Sequence, residues 1–369
     1  MRRGFRLLLL LCALWAGTSP LSAQSALDVL RATGLSGFER AVQPRRFEFP
    51  ADHGPHPGFR HEWWYVTGNL DSDHGERFGF ELTFFRVALA PPANAQPAGD
   101  SAWRTTQLYS AHFALTDKAR GHFEFAQRSS RAALGLAGAE ADPFAVWLGD
   151  WHLQASANGR WQLSAHANGY QLTLDAELLE SPVANGEQGL SRKSAEAASY
   201  YYSIPRMAVR GRVVREGSSS AVSGFAWLDR EWGSGALAAR QQGWDWFALQ
   251  LDDGSTLMFY MLRRHDGSRD SYSAGTWVDS SGQQLALSDQ DVELAITDRW
   301  RSPSGVSYPA AWQLRVPRLQ LVATVRPILA KQELLTRPRY WEGAVDVQAE
   351  RGGRAVGGRG YVELVGYQR

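Results

Sequence analysis

The segment Val222 to Gly235, VSGFAWLDREWGSG, brings rings, opposite charges and glycines into one short stretch. Alternate side chains of an extended strand share a face, so Trp227 and Asp229 leave together, Glu231 follows them and Arg230 points the other way. Trp232, Gly233 and Gly235 mark a bend or strand end where another backbone can approach. A large ring beside a carboxylic acid makes a candidate site. The same residues also suit a strand closing a barrel, with Asp229 and Arg230 held in ion pairs.

Upstream, Glu62–Leu70, Arg77–Leu89, Gln107–Leu115, Gly121–Ala126, Val146–Ala155, Trp161–Ala167 and Tyr170–Leu178 alternate with period two and are rich in aromatic residues. Turn formers such as Asp71-Ser72-Asp73-His74-Gly75 and Asn158-Gly159 separate them. So many short antiparallel strands predict an all-β barrel or sandwich, since closure removes exposed edges.

The second half repeats this plan. Trp63-Trp64-Tyr65-Val66 is echoed by Trp244-Asp245-Trp246-Phe247, Tyr109-Ser110-Ala111 by Tyr272-Ser273-Ala274, and Trp161-Gln162-Leu163 by Trp312-Gln313-Leu314. Tyr200-Tyr201 returns as Tyr340-Trp341, and the Val222–Asp229 segment returns as Val356–Glu363. The order is conserved between the halves, which predicts two β-barrel units in tandem, 59–235 and 236–369, joined near Gly233 to Gln242. A feature present in both copies reads as architecture, so Trp227/Asp229, matched by Tyr361/Glu363, is partly structural. Arg230-Glu231-Trp232 and His61-Glu62 have no counterpart, which directs attention to the first unit and to the junction between the units.

At the N-terminus, Arg2, Arg3 and Arg6 precede the apolar run Leu7–Ala16 and small residues ending at Ala23. This reads as a secretory signal peptide, residues 1–23, and predicts a periplasmic or secreted protein. The run is shorter than the ~20 residues of a membrane span. Its removal takes away Cys12, the only cysteine, and three arginines, turning a formal charge of +1 slightly negative. Disulfide and thiol chemistry are thereby excluded from the mature chain, and a nucleic-acid partner is disfavoured. Residues 24–58 form an N-terminal arm, with a short helix over Gln24–Glu39 and an irregular, proline-broken path from Pro44 to Gly58.

Motifs for other chemistries are missing. His61-Glu62-Trp63-Trp64-Tyr65 lacks the second histidine of a zinc-protease helix, and His53, His56 and His61 read as surface histidines more readily than as metal ligands. There is no GxSxG elbow, phosphate loop or dinucleotide fingerprint. No metal or cofactor is expected.

HEWWYVTGNL, YYSIPRM followed by RG, AWLDREWG, GWDWFALQLDDG, YWEGAV and GRGYVEL, in this order from about Pro44 onward, resemble the AttH and carotenoid 1,2-hydratase (hydroxyneurosporene synthase, CrtC) family. The resemblance implies two tandem lipocalin-like (calycin) antiparallel β-barrels. It also implies cofactor-free chemistry in which an acid protonates an alkene and water captures the cation. Asp229 matches the acid of the family's hydratases within a ring-x-Asp pattern. Tyr200 and Tyr202 stand where those enzymes have a histidine and a tryptophan, and Trp227 stands at their tyrosine. Asp229, Tyr200, Tyr202 and Trp227 are therefore the expected catalytic set, and His61, Glu62, Trp64, Arg230, Glu231, Trp232, Trp244 and Trp246 the expected substrate contacts. An arginine following Asp229 is expected to hold that acid ionised.

Three functions follow from these residues. The first is an exported protein that binds an extended apolar or isoprenoid-like molecule, with hydratase or cyclase activity centred on Asp229. The second is a non-catalytic carrier working with an ABC-type export system in the envelope, and the third is a secreted hydrolase.

Overall fold

The computed structural model describes residues 36–94, 101–235 and 237–367. The expected signal peptide and most of the expected 24–39 helix lie outside them, and Ser36-Gly37 form a turn.

Two antiparallel sheets account for the architecture. In hydrogen-bonded order the first runs His122–Arg131, Gln107–Asp117, Arg77–Ala88, His61–Ser72, Ser218–Gly233, Ala198–Arg215, Tyr170–Leu178, Trp161–Ala167, Trp151–Ala155, Phe144–Leu148 and Ala137–Ala141. The second runs Gln284–Ser288, Ala274–Val278, Thr256–Arg264, Gln241–Leu251, Arg354–Val365, Tyr340–Arg351, Leu321–Pro327, Ser307–Val316 and Glu293–Arg301. Each sheet joins its first long strand to its last. Tyr65 stands opposite Asp229 in the first sheet, and Trp246 stands opposite Glu363 in the second.

The first sheet curls into a nearly closed barrel, the second into a half-barrel. The end strand His122–Arg131 meets the far half of the first sheet through side chains: His122 stacks on Tyr170 with centroids 5.2 Å apart, Arg128 lies 4.3 Å over the Trp151 ring, and Asn168 Nδ2 donates to Glu124 Oε1 at 2.6 Å. Phe78, Phe80, Phe84, Phe113, Trp151 and Leu163 fill the interior. The second unit packs Phe247, Phe259, Trp312 and Trp341. Val146–Ala155, expected as one strand, is a hairpin of Phe144–Leu148 and Trp151–Ala155. Gly149 turns the chain there with φ +63, a left-handed conformation that glycine adopts without Cβ strain.

The arm is irregular apart from one 3-10 turn, Ala51–His53, and it packs its rings against the first unit. Phe47 and Phe49 lie 5.5 and 5.1 Å from Tyr202, and His53 lies 4.9 Å from Trp161. His53 and His56 are thus not surface histidines, because His56 stacks on Trp232 at 3.8 Å.

The central strands are buried on both faces. One face fills its own unit and the other meets the neighbouring unit, where Tyr65, Tyr201 and Trp227 pack with Trp246, Tyr260, Ala344 and Tyr361. This explains why these strands carry rings on both sides of the alternation. The contact is close: a Cβ added at Gly79 would lie 2.4 Å from Ala344 Cβ. Among the described residues no helix is long and apolar enough to cross a membrane.

Candidate active site at the junction of the two sheets

A cavity of about 130 Å³ lies between the sheets, with walls of Trp63, Tyr65, Tyr201, Trp244, Trp246 and Tyr260. It holds more than one water-sized volume. Asp229, Glu231, His61, Lys193, His112 and Glu363 also line it. Its position follows from strand parity. His61, Trp63 and Tyr65 share the outward face of their strand with Asp229 and Glu231 opposite, while Trp246 and Glu363 are paired on the facing sheet.

Asp229 is 3 % exposed and accepts three hydrogen bonds. Tyr201 Oη donates to Oδ2 at 2.5 Å, Ser203 Oγ to Oδ1 at 2.5 Å, and Trp227 Nε1 to Oδ1 at 2.7 Å. Trp246 Nε1 of the other sheet donates to Tyr201 Oη at 3.2 Å. Burial is the largest influence on the acid and the three donors only partly oppose it, so its pKa is pushed up to about 7. A substantial fraction is protonated at neutral pH.

Arg230 does not hold Asp229 ionised. It occupies the opposite face, where it pairs with Glu62, lies 3.9 Å over the Trp64 ring and donates to Gly54 O at 2.5 Å. Arg86 also pairs with Glu62. Burial alone would raise Glu62, but the two guanidinium groups outweigh it and hold the carboxyl well below the usual range. The charge that follows Asp229 in sequence is therefore neutralised within another network.

The other expected residues divide by parity. Tyr200 donates to Gln43 O at 3.0 Å, and Tyr202 shares a 2.6 Å hydrogen bond with His53 Nδ1. Both belong with Trp64 and Trp232 to the first unit's core, so the structure does not bring them to Asp229. Tyr201, between them, makes that contact. His61, Glu62, Glu231, Trp244 and Trp246 do line the cavity.

Glu231 accepts from Ser199 Oγ and lies 3.4 Å from Lys193 Nζ, which sits 3.9 Å from the Tyr260 centroid. Burial works against the lysine's charge, but Glu231 and Tyr260 outweigh it and hold the amine above its ordinary value. Burial and nearby guanidinium groups drop His61 to about 3, so its ring is neutral. Its Nε2 accepts the Gly235 N–H at 3.0 Å, which assigns the proton to Nδ1, a buried atom with no hydrogen-bond partner among the described residues.

Several lining residues escape the sequence reading. Glu363 receives a 2.8 Å hydrogen bond from Trp244 Nε1, and burial pushes its pKa up to about 7. Beyond it, Tyr65 Oη donates to Glu342, and His112 Nδ1 meets Tyr340 Oη at 2.7 Å. The parity of paired strands is the signal that finds Tyr201 and Ser203: Tyr201 stands opposite Glu231, and Ser203 opposite Asp229. Among the described residues no cluster of histidine, cysteine and acidic side chains has the makings of a metal site.

The AttH-like family model matches residues 40–367. The chain belongs to this family. It is 36% identical to the crystal structure of a Nitrosomonas europaea protein assigned to AttH, with a TM-score of 0.79 over 90% of this chain and 100% of that one. It is also 22% identical over 243 residues to kievitone hydratase of Fusarium solani subsp. phaseoli, covering 63% of this chain and 68% of that protein. The structure of kievitone hydratase from Nectria haematococca matches in fold, with a TM-score of 0.65 at 14% identity over 90% of this chain and 99% of that one. The two tandem lipocalin-like barrels expected from the sequence are therefore the architecture of this AttH-like protein.

Proposed function

We propose that this AttH-like protein is a cofactor-free hydratase that adds water across an alkene of an isoprenoid-like molecule, with Asp229 as the acid. The observation that carries the reading is a buried carboxyl with a pKa near neutrality in an aromatic cavity, with no cation paired to it among the described residues. The similarity to kievitone hydratase supports the same reaction class.

In the forward direction neutral Asp229 gives its proton to the less substituted alkene carbon. The π pair forms the new C–H bond, the other carbon becomes a tertiary cation, and Asp229 is left as carboxylate. Trp63, Trp244, Trp246 and Tyr260 present ring faces or edges to this space, and a ring face near a cation contributes roughly 0.5 to 2 kcal/mol. Tyr201, Ser203 and Trp227 stabilise the carboxylate as it forms, because their three hydrogen bonds strengthen when charge develops. Water then captures the cation. In this reading His61 Nδ1–H binds that water or the product hydroxyl. The small cavity suits the reacting end of an extended chain, and apolar burial at ~25 cal/mol per Å² supplies affinity.

Export by residues 1–23 belongs to the same proposal and sets the reaction in the periplasm or outside the cell. A carrier working with an ABC-type exporter would share that location and release its ligand unchanged. Its main support in the sequence was an arginine holding Asp229 ionised, and the pairing of Arg230 with Glu62 removes that support. Incubation of the mature protein with isoprenoid alkenes in oxygen-18 water tests the choice. Labelled alcohol formed by wild type and lost in Asp229→Asn is the expected result. Ligand recovered unchanged from a protein that binds it would instead favour the carrier.

A further inference from the structure

Asp229 and Glu363 occupy equivalent places in the two units. Asp229 lies on the last strand of the first sheet, opposite Tyr65 of the first long strand. Glu363 lies on the last strand of the second sheet, opposite Trp246 of its first long strand. Tyr201 faces the residue two beyond Asp229, and Tyr340 faces the residue two beyond Glu363. Each acid accepts an indole N–H, from Trp227 and from Trp244. Both line the same cavity between the sheets.

We propose that Glu363 is a second catalytic carboxyl of the hydration reaction, taking a proton from the water that captures the cation while Asp229 supplies the proton to the alkene. This rests on the hydratase reading above. When the water oxygen forms its C–O bond, one O–H bond breaks and that proton goes to the Glu363 carboxylate. The cycle then stands with Asp229 ionised and Glu363 neutral, and transfer of one proton from Glu363 to Asp229 restores the start. The sum is alkene plus water giving alcohol, with no other reactant. Run backwards, Glu363 gives its proton to the leaving hydroxyl and Asp229 takes one from carbon.

The surroundings support an acid pair that holds one proton between its members. Each carboxyl is raised by burial, and the charge of Asp229 raises Glu363 further. The groups acting on Glu363 are Asp229 and Glu231 from the first sheet and Trp244 from its own, while Glu363 in turn raises Glu81, Tyr340 and Glu342. Among the described residues of the lining, the lysine and the arginine, Lys193 and Arg86, are engaged by Glu231 and Glu62.

Two measurements on the full mature chain test the assignment. The first follows the carboxylic-acid carbonyl band by infrared spectroscopy across pH in wild type, Asp229→Asn and Glu363→Gln, with circular dichroism to confirm folding. Each substitution should lower the titration midpoint of the remaining acid, because a like charge has been removed. Unmoved midpoints would overturn the pairing. The second uses geraniol as the probe in deuterium oxide. Asp229→Asn should lose both deuterium uptake at the alkene and hydration. Glu363→Gln should lose hydration by about 10²-fold or more while keeping deuterium uptake, and Glu363→Asp should recover part of the hydration. Equal loss of both signals in Glu363→Gln would assign that residue to structure alone. If wild type neither exchanges nor hydrates geraniol while the midpoints shift as expected, the alkene-hydratase reading fails for this probe and the coupled acid pair stands.

Discussion

Arg230 is paired with Glu62, across the strand from its sequence neighbour Asp229. The arrangement separates two electrostatic environments that the sequence places side by side: a network on the inward face in which two guanidinium groups share the Glu62 carboxylate, and an acid without a paired cation among the described residues on the outward one. Their responses to mutation should be separable.

Glu62→Gln removes the one carboxylate shared by Arg230 and Arg86. Two buried guanidinium groups lose their partner, and breaking a buried pair in this way costs about 3 to 5 kcal/mol. Urea unfolding should show that loss while the midpoint of Asp229 stays where it is. A large move in the Asp229 midpoint would mean that the two faces are electrically coupled.

Asp229 should make the fold sensitive to rising pH. Its folded pKa, about 7, lies above the ordinary aspartate value of 3.8, so the native state binds the extra proton between those values. Stability contributed by the neutral acid is fully present below about pH 4 and is lost as pH rises through about 7; the gap corresponds to about 4 kcal/mol. Asp229→Asn lacks this loss. The melting temperature of the variant relative to wild type should climb from pH 5 to pH 8, and a flat difference would count against a neutral buried acid.

Tyr201→Phe deletes the 2.5 Å donor to Asp229 Oδ2. Because that bond favours the charged form, its loss raises the Asp229 pKa further and shifts the alkaline limb of the activity profile upward. The rate should also fall, since the carboxylate left after proton transfer has one donor fewer. Tyr200→Phe and Tyr202→Phe, on the other face, should leave that limb in place.

Gly79→Ala tests the seam. The added methyl would meet Ala344 at 2.4 Å, so the sheets must shift apart at a cost of about 1 to 3 kcal/mol. Uptake of an apolar probe, read as quenching of tryptophan emission, should weaken with it. Unchanged uptake and stability would show that the seam has slack.

The alternating aromatic strands were legible because period two and turn residues are local signals, and Asp229 was legible because Trp227 stands two residues away. Other parts depended on registry between distant strands. Tyr200 and Tyr202 were the expected site residues and Tyr201 was not, but pairing with the Ser218–Gly233 strand puts only Tyr201 on the acid's side. Aligning Tyr200 with Tyr340 by sequence was one residue out, since the paired strands equate Tyr201 with Tyr340. Glu363 was set aside because repetition reads as architecture. In three dimensions repetition brings the two acids into the same space. His61 was found by its lack of a counterpart, whereas Lys193 and Tyr260 had no local pattern to mark them.

The placement of the cavity also bears on how such a protein could arise. A single unit carries one acid on its outward strand and no wall facing it, so alone it would need to dimerise to enclose anything. In that dimer the two acids would be chemically identical. Joining the copies in one gene releases them from that identity, and a shorter aspartate with three donors can then diverge from a longer glutamate with one indole donor. The second unit supplies more than bulk: it gives the chamber two chemically different ends.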